Sequence, residues 1–303
     1  EELLVSPDPA AFLPPLLRRW DLMRRDAWTA FLSRRPGLEA FGEAISTYLI
    51  IEQFYVGALG GRSDYEAIAA EGLGGLIDRA FGRPDDPASA TESYVDRMVI
   101  PKAPGDGLEP DSIKRRLLDV AADQILSGGV GIVTNRSVST EVGTSTSTIA
   151  YHWADMRRFV IDAVWHAVFR EMPRYLDYRH PLGAGPPDVQ RWGEMMALTL
   201  ETPADGERGF YVKYARLIGQ VCLQARRDPS FQELAMILRG PEGGGNYTNR
   251  GELWPPQFDL TRRAATRFAL WIKGAAIMAA ATGDAPDAAR LQAVAKTLVT
   301  QRD

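Results

Sequence analysis

Apolar residues recur along most of the chain at spacings of three and four positions, the period that places side chains on one face of an α-helix. One run near the amino terminus consists of Tyr48, Ile51, Phe54, Tyr55 and Ala58. Another, near the carboxyl terminus between alanine-rich flanks that suit close helix packing, consists of Phe268, Trp271, Ile272, Ala275 and Met278. The pattern predicts an all-α protein. Stretches rich in glycine and proline separate the predicted helices at 82–110, 181–187 and 239–257.

Two stretches of the chain resemble two later ones, which indicates an internal repeat. Residues 31–36 resemble 223–229, with the arginine pairs 192 positions apart. Residues 48–60 resemble 271–283 at a separation of 223 positions, so the second copy resembles the first with a loop inserted. A chance likeness between amphipathic helices of an alanine-rich chain is the alternative.

Residues 112–158 carry the pattern of three consecutive helices. The first has an apolar face formed by Ile113, Leu117, Val120, Ala121 and Ile125. It is expected to end at the glycine pair 128–129, a typical helix stop. A short helix follows, which the Thr134 hydroxyl is expected to cap, with Val138 and Val142 on its buried side.

A second short helix is predicted after Gly143, a residue that allows a tight turn. We expect Ser145 to cap this helix, with Ile149 and Trp153 on its buried side. Two short helices joined by a glycine turn, against a longer first helix, are the arrangement of a helix-turn-helix unit.

The spacing of residues in this segment resembles the amino-terminal DNA-binding domain of the tetracycline-repressor (TetR) family. The resemblance covers 112–170 and is carried by Leu117, Ala121, Gly129, Thr134, Val138, Gly143, Ser145, Thr148, Ile149, His152, Trp153 and Phe159. The helices that follow fit the family's ligand-binding and dimerisation domain in number and order.

The resemblance implies a set of DNA-binding residues: Lys114, Arg115, Thr134, Ser145, Thr146, Ser147, Thr148, Tyr151 and His152. Residues 145–148 and Tyr151 match the recognition helix that enters the major groove. The hydroxyls and the basic run 114–116 would position the domain on phosphates, and Thr134, Tyr151 and His152 match positions that hold phosphates or groove edges. Base edges would be read by Thr146, Ser147 and Tyr151.

The segment departs from the family in ways that favour a second interpretation. Ala150 stands where the family usually has an aromatic residue, and Met156 stands near a usual lysine that Arg157 and Arg158 could replace. The recognition helix itself has no lysine or arginine. A helix-turn-helix that folds without binding DNA is therefore the alternative.

The position of this segment in the chain implies a tandem of two family units. A DNA-binding domain opens the chain in this family, whereas 111 residues precede it here. The predicted parts are 1–82, the later part of a first ligand and dimerisation domain; 83–111, a linker; 112–158, the helix-turn-helix; and 159–303, a second ligand and dimerisation domain. A first DNA-binding domain would lie upstream of residue 1 or has been lost.

Members of the family dimerise through their last two long helices, which form a four-helix bundle. The corresponding pairs here are 42–60 with 63–81, and 258–283 with 286–301. The prediction is an intramolecular pseudo-dimer, in which one chain supplies both halves of the interface. Ordinary packing within two unrelated domains is the alternative.

Four aromatic residues, Trp192, Tyr211, Tyr214 and Trp271, lie on helices expected to surround an effector pocket. Mostly apolar walls with a few polar groups are typical of small-molecule sites, although such residues are more often plain core. The two tyrosines are the stronger candidates, because a buried hydroxyl needs a hydrogen-bond partner.

Composition limits the remaining classes of function. The chain has 35 basic and 39 acidic side chains, so attraction to DNA or anionic membranes would have to come from a local patch. The single cysteine, Cys222, excludes an intramolecular disulfide, and no apolar run approaches the roughly 20 residues of a membrane span. The sequence predicts a cytoplasmic protein without cofactor, metal or enzyme motif.

Together these features predict a ligand-responsive regulator that binds a double-stranded DNA operator and is released from it by a small apolar or aromatic effector. The alternative is a ligand-sensing or protein-interaction module on the same fold, with a helix-turn-helix that no longer binds DNA.

Overall fold

Almost every regular element in the computed structural model is a helix, which confirms the all-α prediction. The structure describes residues 1–6, 12–86, 89–99, 102–177, 186–202 and 208–301, with only the backbone described for 171–177. The helices are α1 (Leu13–Leu32), α2 (Phe41–Leu59), α3 (Ser63–Ala80), α4 (Ala90–Val95), α5 (Ile113–Gly128), α6 (Asn135–Val142), α7 (Ser147–His152), α8 (Met156–Asp177), α9 (Val189–Leu198), α10 (Phe210–Arg227), α11 (Gln232–Arg239), α12 (Gly244–Thr248), α13 (Arg250–Leu253), α14 (Arg262–Thr282) and α15 (Ala288–Leu298). Short 3-10 helices form at Glu2–Val5, Val130–Ile132 and Pro229–Phe231.

The predicted helices 258–283 and 286–301 are too long, because a small sheet occupies their outer ends. Strand β1 (Phe258–Asp259) pairs antiparallel with β2 (Thr300–Gln301). Helix α14 begins only at Arg262, where the Thr261 hydroxyl accepts a hydrogen bond from the Ala264 N–H at 3.0 Å. The other predicted pair, 42–60 and 63–81, matches α2 and α3.

Short helices also form inside the stretches predicted as breaks. Helices α12 and α13 lie within 239–257, and α4 lies within 82–110. Of the third break, residues 181–185 lie outside the described part of the chain.

The segment predicted as a linker, 83–111, is docked on the helices where it is described. Helix α4 packs against α3, and the Thr91 N–H donates to the Glu71 carboxylate at 3.0 Å. Before α4, Asp85 accepts a hydrogen bond from the buried Arg267 guanidinium at 2.6 Å. These contacts fix the connection to α3 and α14.

Helices α2 and α14 form the centre of the fold, and their contact is the most extensive between any two described helices. Gly274 makes the close approach possible, since a Cβ atom at this position would overlap the carbonyl oxygen of Thr47. Helices α1 and α10 lie on either side, and each packs against both central helices.

The helices equated by the sequence repeat overlap when the chain numbering is shifted by the repeat offsets. Shifted by 223 positions, α2 falls on 264–282, within α14, and α3 overlaps α15. Shifted by 192 positions, α1 falls on 205–224 and overlaps α10. Helix α2 therefore packs against α14, the helix that the repeat relates to it.

Two buried ion pairs lie beside this crossing. Glu52 on α2 is 3.2 Å from Arg239 on α11, and Glu242 pairs with Lys273 on α14. All four side chains are at most 4% exposed. Each carboxylate also accepts a hydrogen bond from a buried tyrosine: Tyr65 donates to Glu52 at 2.7 Å, and Tyr55 donates to Glu242 at 3.2 Å. Opposite charges and hydrogen bonds compensate part of the cost of removing these groups from water.

We predict that Gly274→Ala destabilises the protein by about 1–3 kcal/mol, because the added methyl group forces α2 and α14 apart. Gly74→Ala on α3 is the matched control. A Cβ there meets no atom within 4 Å, so the better helix propensity of alanine should stabilise the protein by up to about 1 kcal/mol. Urea unfolding followed by circular dichroism measures both changes, and equal effects would contradict the close crossing.

We predict that Lys273→Met costs about 3–5 kcal/mol of stability, because it leaves the Glu242 charge buried without its partner. Adding Glu242→Gln should recover a large part of this loss, since the glutamine still accepts the Tyr55 hydroxyl. The measurement is a double-mutant cycle by urea unfolding. Strictly additive effects would show that the two charges do not depend on each other.

Candidate functional site

The helices α5, α6 and α7 form as their local sequence predicts. Thr134 accepts a hydrogen bond from the Ser137 N–H at 3.0 Å, and Ser137 accepts one from the Thr134 N–H at 3.0 Å, so the start of α6 is capped in both directions. Gly143 ends α6 with φ 74°, in the left-handed region that favours glycine. The predicted inner residues Val138, Val142, Ile149 and Trp153 are all buried.

The start of α7 differs from the prediction. Residue Thr146 already has helical backbone angles and stands at the N-cap, where no side chain accepts a backbone N–H. Ser145 is therefore not a cap: its carbonyl oxygen accepts the Thr148 N–H at 3.1 Å, and its hydroxyl lies 2.7 Å from that of Ser147. The helix starts one residue later than a Ser145 cap would place it.

The outer face of α7 is polar and exposed. Ser145, Thr146 and Ser147 are exposed, and Tyr151 is 85% exposed, whereas Ile149 beneath them is buried. Thr148 and His152 lie at the edge of this face and are half-buried. The candidate base-reading residues thus share one surface of hydroxyl groups and an aromatic ring.

The side chains of the basic run 114–116, at the start of α5, make contacts within the protein. Lys114 lies 5.3 Å from the Trp153 ring centroid in a cation–π contact. Arg115 binds Asp119 at 3.0 Å, and Arg116 donates to the Val142 carbonyl oxygen at 2.7 Å, where α6 ends. Asp119 therefore occupies the Nε of Arg115 and compensates part of the positive charge that a phosphate would meet.

Sequence analysis missed Arg136 as a candidate. It lies on the first turn of α6, one residue beyond the half-buried Asn135, and its side chain is exposed. The signal was available, because Arg136 is the only lysine or arginine between 117 and 156. It is the basic side chain nearest in sequence to the Thr134 cap.

Two polar contacts are among those that join the α5–α7 unit to the rest of the protein, in addition to the packing of α5 against α8. The Asp119 carboxylate that holds Arg115 lies 2.6 Å from His166 on α8, and burial lowers the pKa of His166 against the opposing effect of that carboxylate. On the other side, Gln220 of α10 accepts a hydrogen bond from the Val130 N–H at 2.9 Å. A displacement of α8 or α10 would therefore be transmitted to α5 and to the turn before α6.

The four predicted pocket residues fall into two groups. Trp192 and Trp271 are fully buried, and Trp192 packs against Trp254 and Phe268 with ring centroids 4.9 and 5.5 Å apart. The indole N–H of each has no hydrogen-bond partner among the described residues. Such packing is typical of core residues.

The second group consists of Tyr211 and Tyr214 on α10, which lie beside a buried charge. The Lys273 ammonium is 5.9 and 5.2 Å from their ring centroids. Burial and the nearby Glu242 carboxylate raise the pKa of Tyr214. Sequence analysis missed Lys273 and Glu242, although Lys273 interrupts an otherwise apolar run of α14 and could have been noticed.

The described residues carry no cluster that could hold a metal ion. Within the described chain, each helix is too short or too polar to cross a membrane. No protein-family model, no curated protein and no solved structure matches this chain, so its function has to be argued from these residues alone.

Proposed function

We propose that the chain is a DNA-binding regulator of the tetracycline-repressor type, in which α6 and α7 form a helix-turn-helix and α7 is the recognition helix. The observation that carries the proposal is the exposed face of α7. Three hydroxyl side chains and Tyr151 cover a surface whose underside is fixed by buried Ile149. Among the described residues the Tyr151 ring contacts only the neighbouring His152 ring, and its 85% exposure leaves the hydroxyl available for a base edge.

The rest of the chain fits the effector-binding half of such a regulator. Effector binding near Tyr211 and Tyr214 would move α10, and the Gln220–Val130 hydrogen bond would carry that movement to the turn before α6. The repeat-related places of α1 with α10 and of α2 with α14 support an intramolecular pseudo-dimer.

A second candidate function is a sensing or protein-interaction module whose helix-turn-helix does not bind DNA. The pairing of Arg115 with Asp119 favours it, since a neighbouring carboxylate compensates part of the positive charge of the guanidinium. The absence of lysine and arginine from α7 favours it as well, because most DNA affinity comes from phosphate contacts.

We expect the triple variant Thr146→Ala, Ser147→Ala and Tyr151→Ala to lose sequence-specific DNA binding. An operator selected from random duplexes at low salt should bind the variant at least tenfold more weakly, because each lost base contact is worth about 1–3 kcal/mol. Thr248→Ala, an exposed threonine of α12, is the control and should bind like the parent. Failure of the folded parent protein to enrich any duplex would favour the sensing module.

The dependence of DNA affinity on salt concentration distinguishes basic residues by how much each one contributes to phosphate contacts. Arg136→Gln should lower the slope of log K against log salt concentration by about 0.9, the value for one lost phosphate contact. Arg115→Gln should lower the slope by less than Arg136→Gln does, because Asp119 already compensates part of the Arg115 charge. Arg19→Gln on α1 is the control for removal of an exposed charge. A loss of slope with Arg115→Gln alone would reverse the assignment of the two arginines.

A further inference from the structure

An apolar groove opens between α1, α2 and α3, outside the α5–α7 unit. Its cavity volume is about 700 Å³, and its walls include Trp28, Leu49, Leu73, Ile77 and Phe81. Clefts that hold small molecules have volumes of about 300–1,000 Å³ and mostly apolar walls.

The groove keeps large apolar side chains in contact with water. Phe31 is 55% exposed, Ile77 is 52% exposed and Phe81 is 47% exposed, although all three line the groove. An apolar surface of this kind on a folded protein commonly marks a binding site.

The charged side chains that line the groove are both arginines, Arg34 and Arg35. Arg34 lies 5.6 Å from the Phe31 ring centroid, and Arg35 lies 5.9 Å from that of Phe81. Among the described residues, neither guanidinium has a carboxylate partner, and no acidic side chain lines the groove. The opening therefore combines an apolar interior with an uncompensated positive charge.

The described residues at the repeat-related positions are packed differently. The counterpart of Ile45, which lines the groove, is Phe268, and Trp192 and Trp254 cover it with ring centroids 5.5 and 4.9 Å away. The counterparts of Leu73 and Ile77 are Lys296 and Thr300. At these described positions the groove between α1, α2 and α3 is therefore not reproduced by the repeat.

We propose that the groove between α1, α2 and α3 binds a small amphipathic anion, namely a carboxylate with an unbranched apolar chain. The apolar chain lies along Leu49, Leu73 and Ile77, and the carboxylate binds Arg34 and Arg35. A guanidinium matches the two oxygen atoms of a carboxylate, which an uncharged or cationic head group cannot replace. Because the site uses none of the α5–α7 residues, it does not depend on DNA binding.

The test measures binding of three twelve-carbon probes below their micelle concentrations: dodecanoate, 1-dodecanol and dodecyltrimethylammonium. Titration calorimetry gives the affinities. The part of the tryptophan fluorescence change that Trp28→Phe removes reports on the groove, because Trp28 is one of seven tryptophans and lines it. The variants are the double substitution Arg34→Gln with Arg35→Gln, and Leu73→Glu within the groove. Their matched controls are Arg19→Gln and Leu22→Glu, two exposed α1 positions outside the groove.

We expect dodecanoate to bind at least tenfold more tightly than the other two probes, since charge-assisted hydrogen bonds carry the preference. The arginine double variant should lose this preference but still bind 1-dodecanol, and Leu73→Glu should abolish binding of all three. Both controls should bind dodecanoate like the parent, and circular dichroism verifies that every variant is folded.

Three results would overturn the proposal. Equal affinity for all three probes would show that the arginines do not select the head group. Binding that survives Leu73→Glu would place the ligand elsewhere. Absence of binding by the folded parent, together with self-association that Leu73→Glu removes, would assign the groove to a second copy of the chain.

Discussion

The fold depends on the close crossing of α2 and α14. Gly274 lets the two backbones approach to a distance that any side chain at this position would prevent. The flanking helices α1 and α10 pack against both central helices, and the ion pairs of Glu52 with Arg239 and of Lys273 with Glu242 lie beside the crossing. Their geometry, and that of the α5–α7 unit bonded to α10, follows from this single approach.

The α5–α7 unit was largely predictable because its signals are local. The cap at Thr134, the left-handed turn at Gly143 and the buried positions of α6 and α7 follow from residues within four positions of each other. Ser145 failed as a cap because Thr146 is already helical, a choice between two neighbouring hydroxyl residues that spacing cannot make. The all-α class was predictable for the same reason, since helix periodicity is read over a few turns.

Features that depend on distant partners were not predictable. The strand pair Phe258–Asp259 with Thr300–Gln301 ends two predicted helices, yet each strand alone is too short to leave a pattern. The resemblance assigns Arg115 to DNA without indicating that its Nε pairs with Asp119, which also lies 2.6 Å from His166 on α8. The buried Glu52 and Lys273 stand out in their apolar runs, whereas their partners Arg239 and Glu242 lie in a stretch that reads as a loop.

Because α2 and α14 lie far apart in the sequence, the core around their crossing can form only late in synthesis. Helix α2 leaves the ribosome roughly 220 residues before α14, a delay of about 10–40 s at ordinary elongation rates. During that time the apolar face of α2 has no α14 to cover it, and contacts so distant in sequence form slowly. A chaperone, or a temporary partner for α2, would therefore protect that apolar face until α14 has been synthesised.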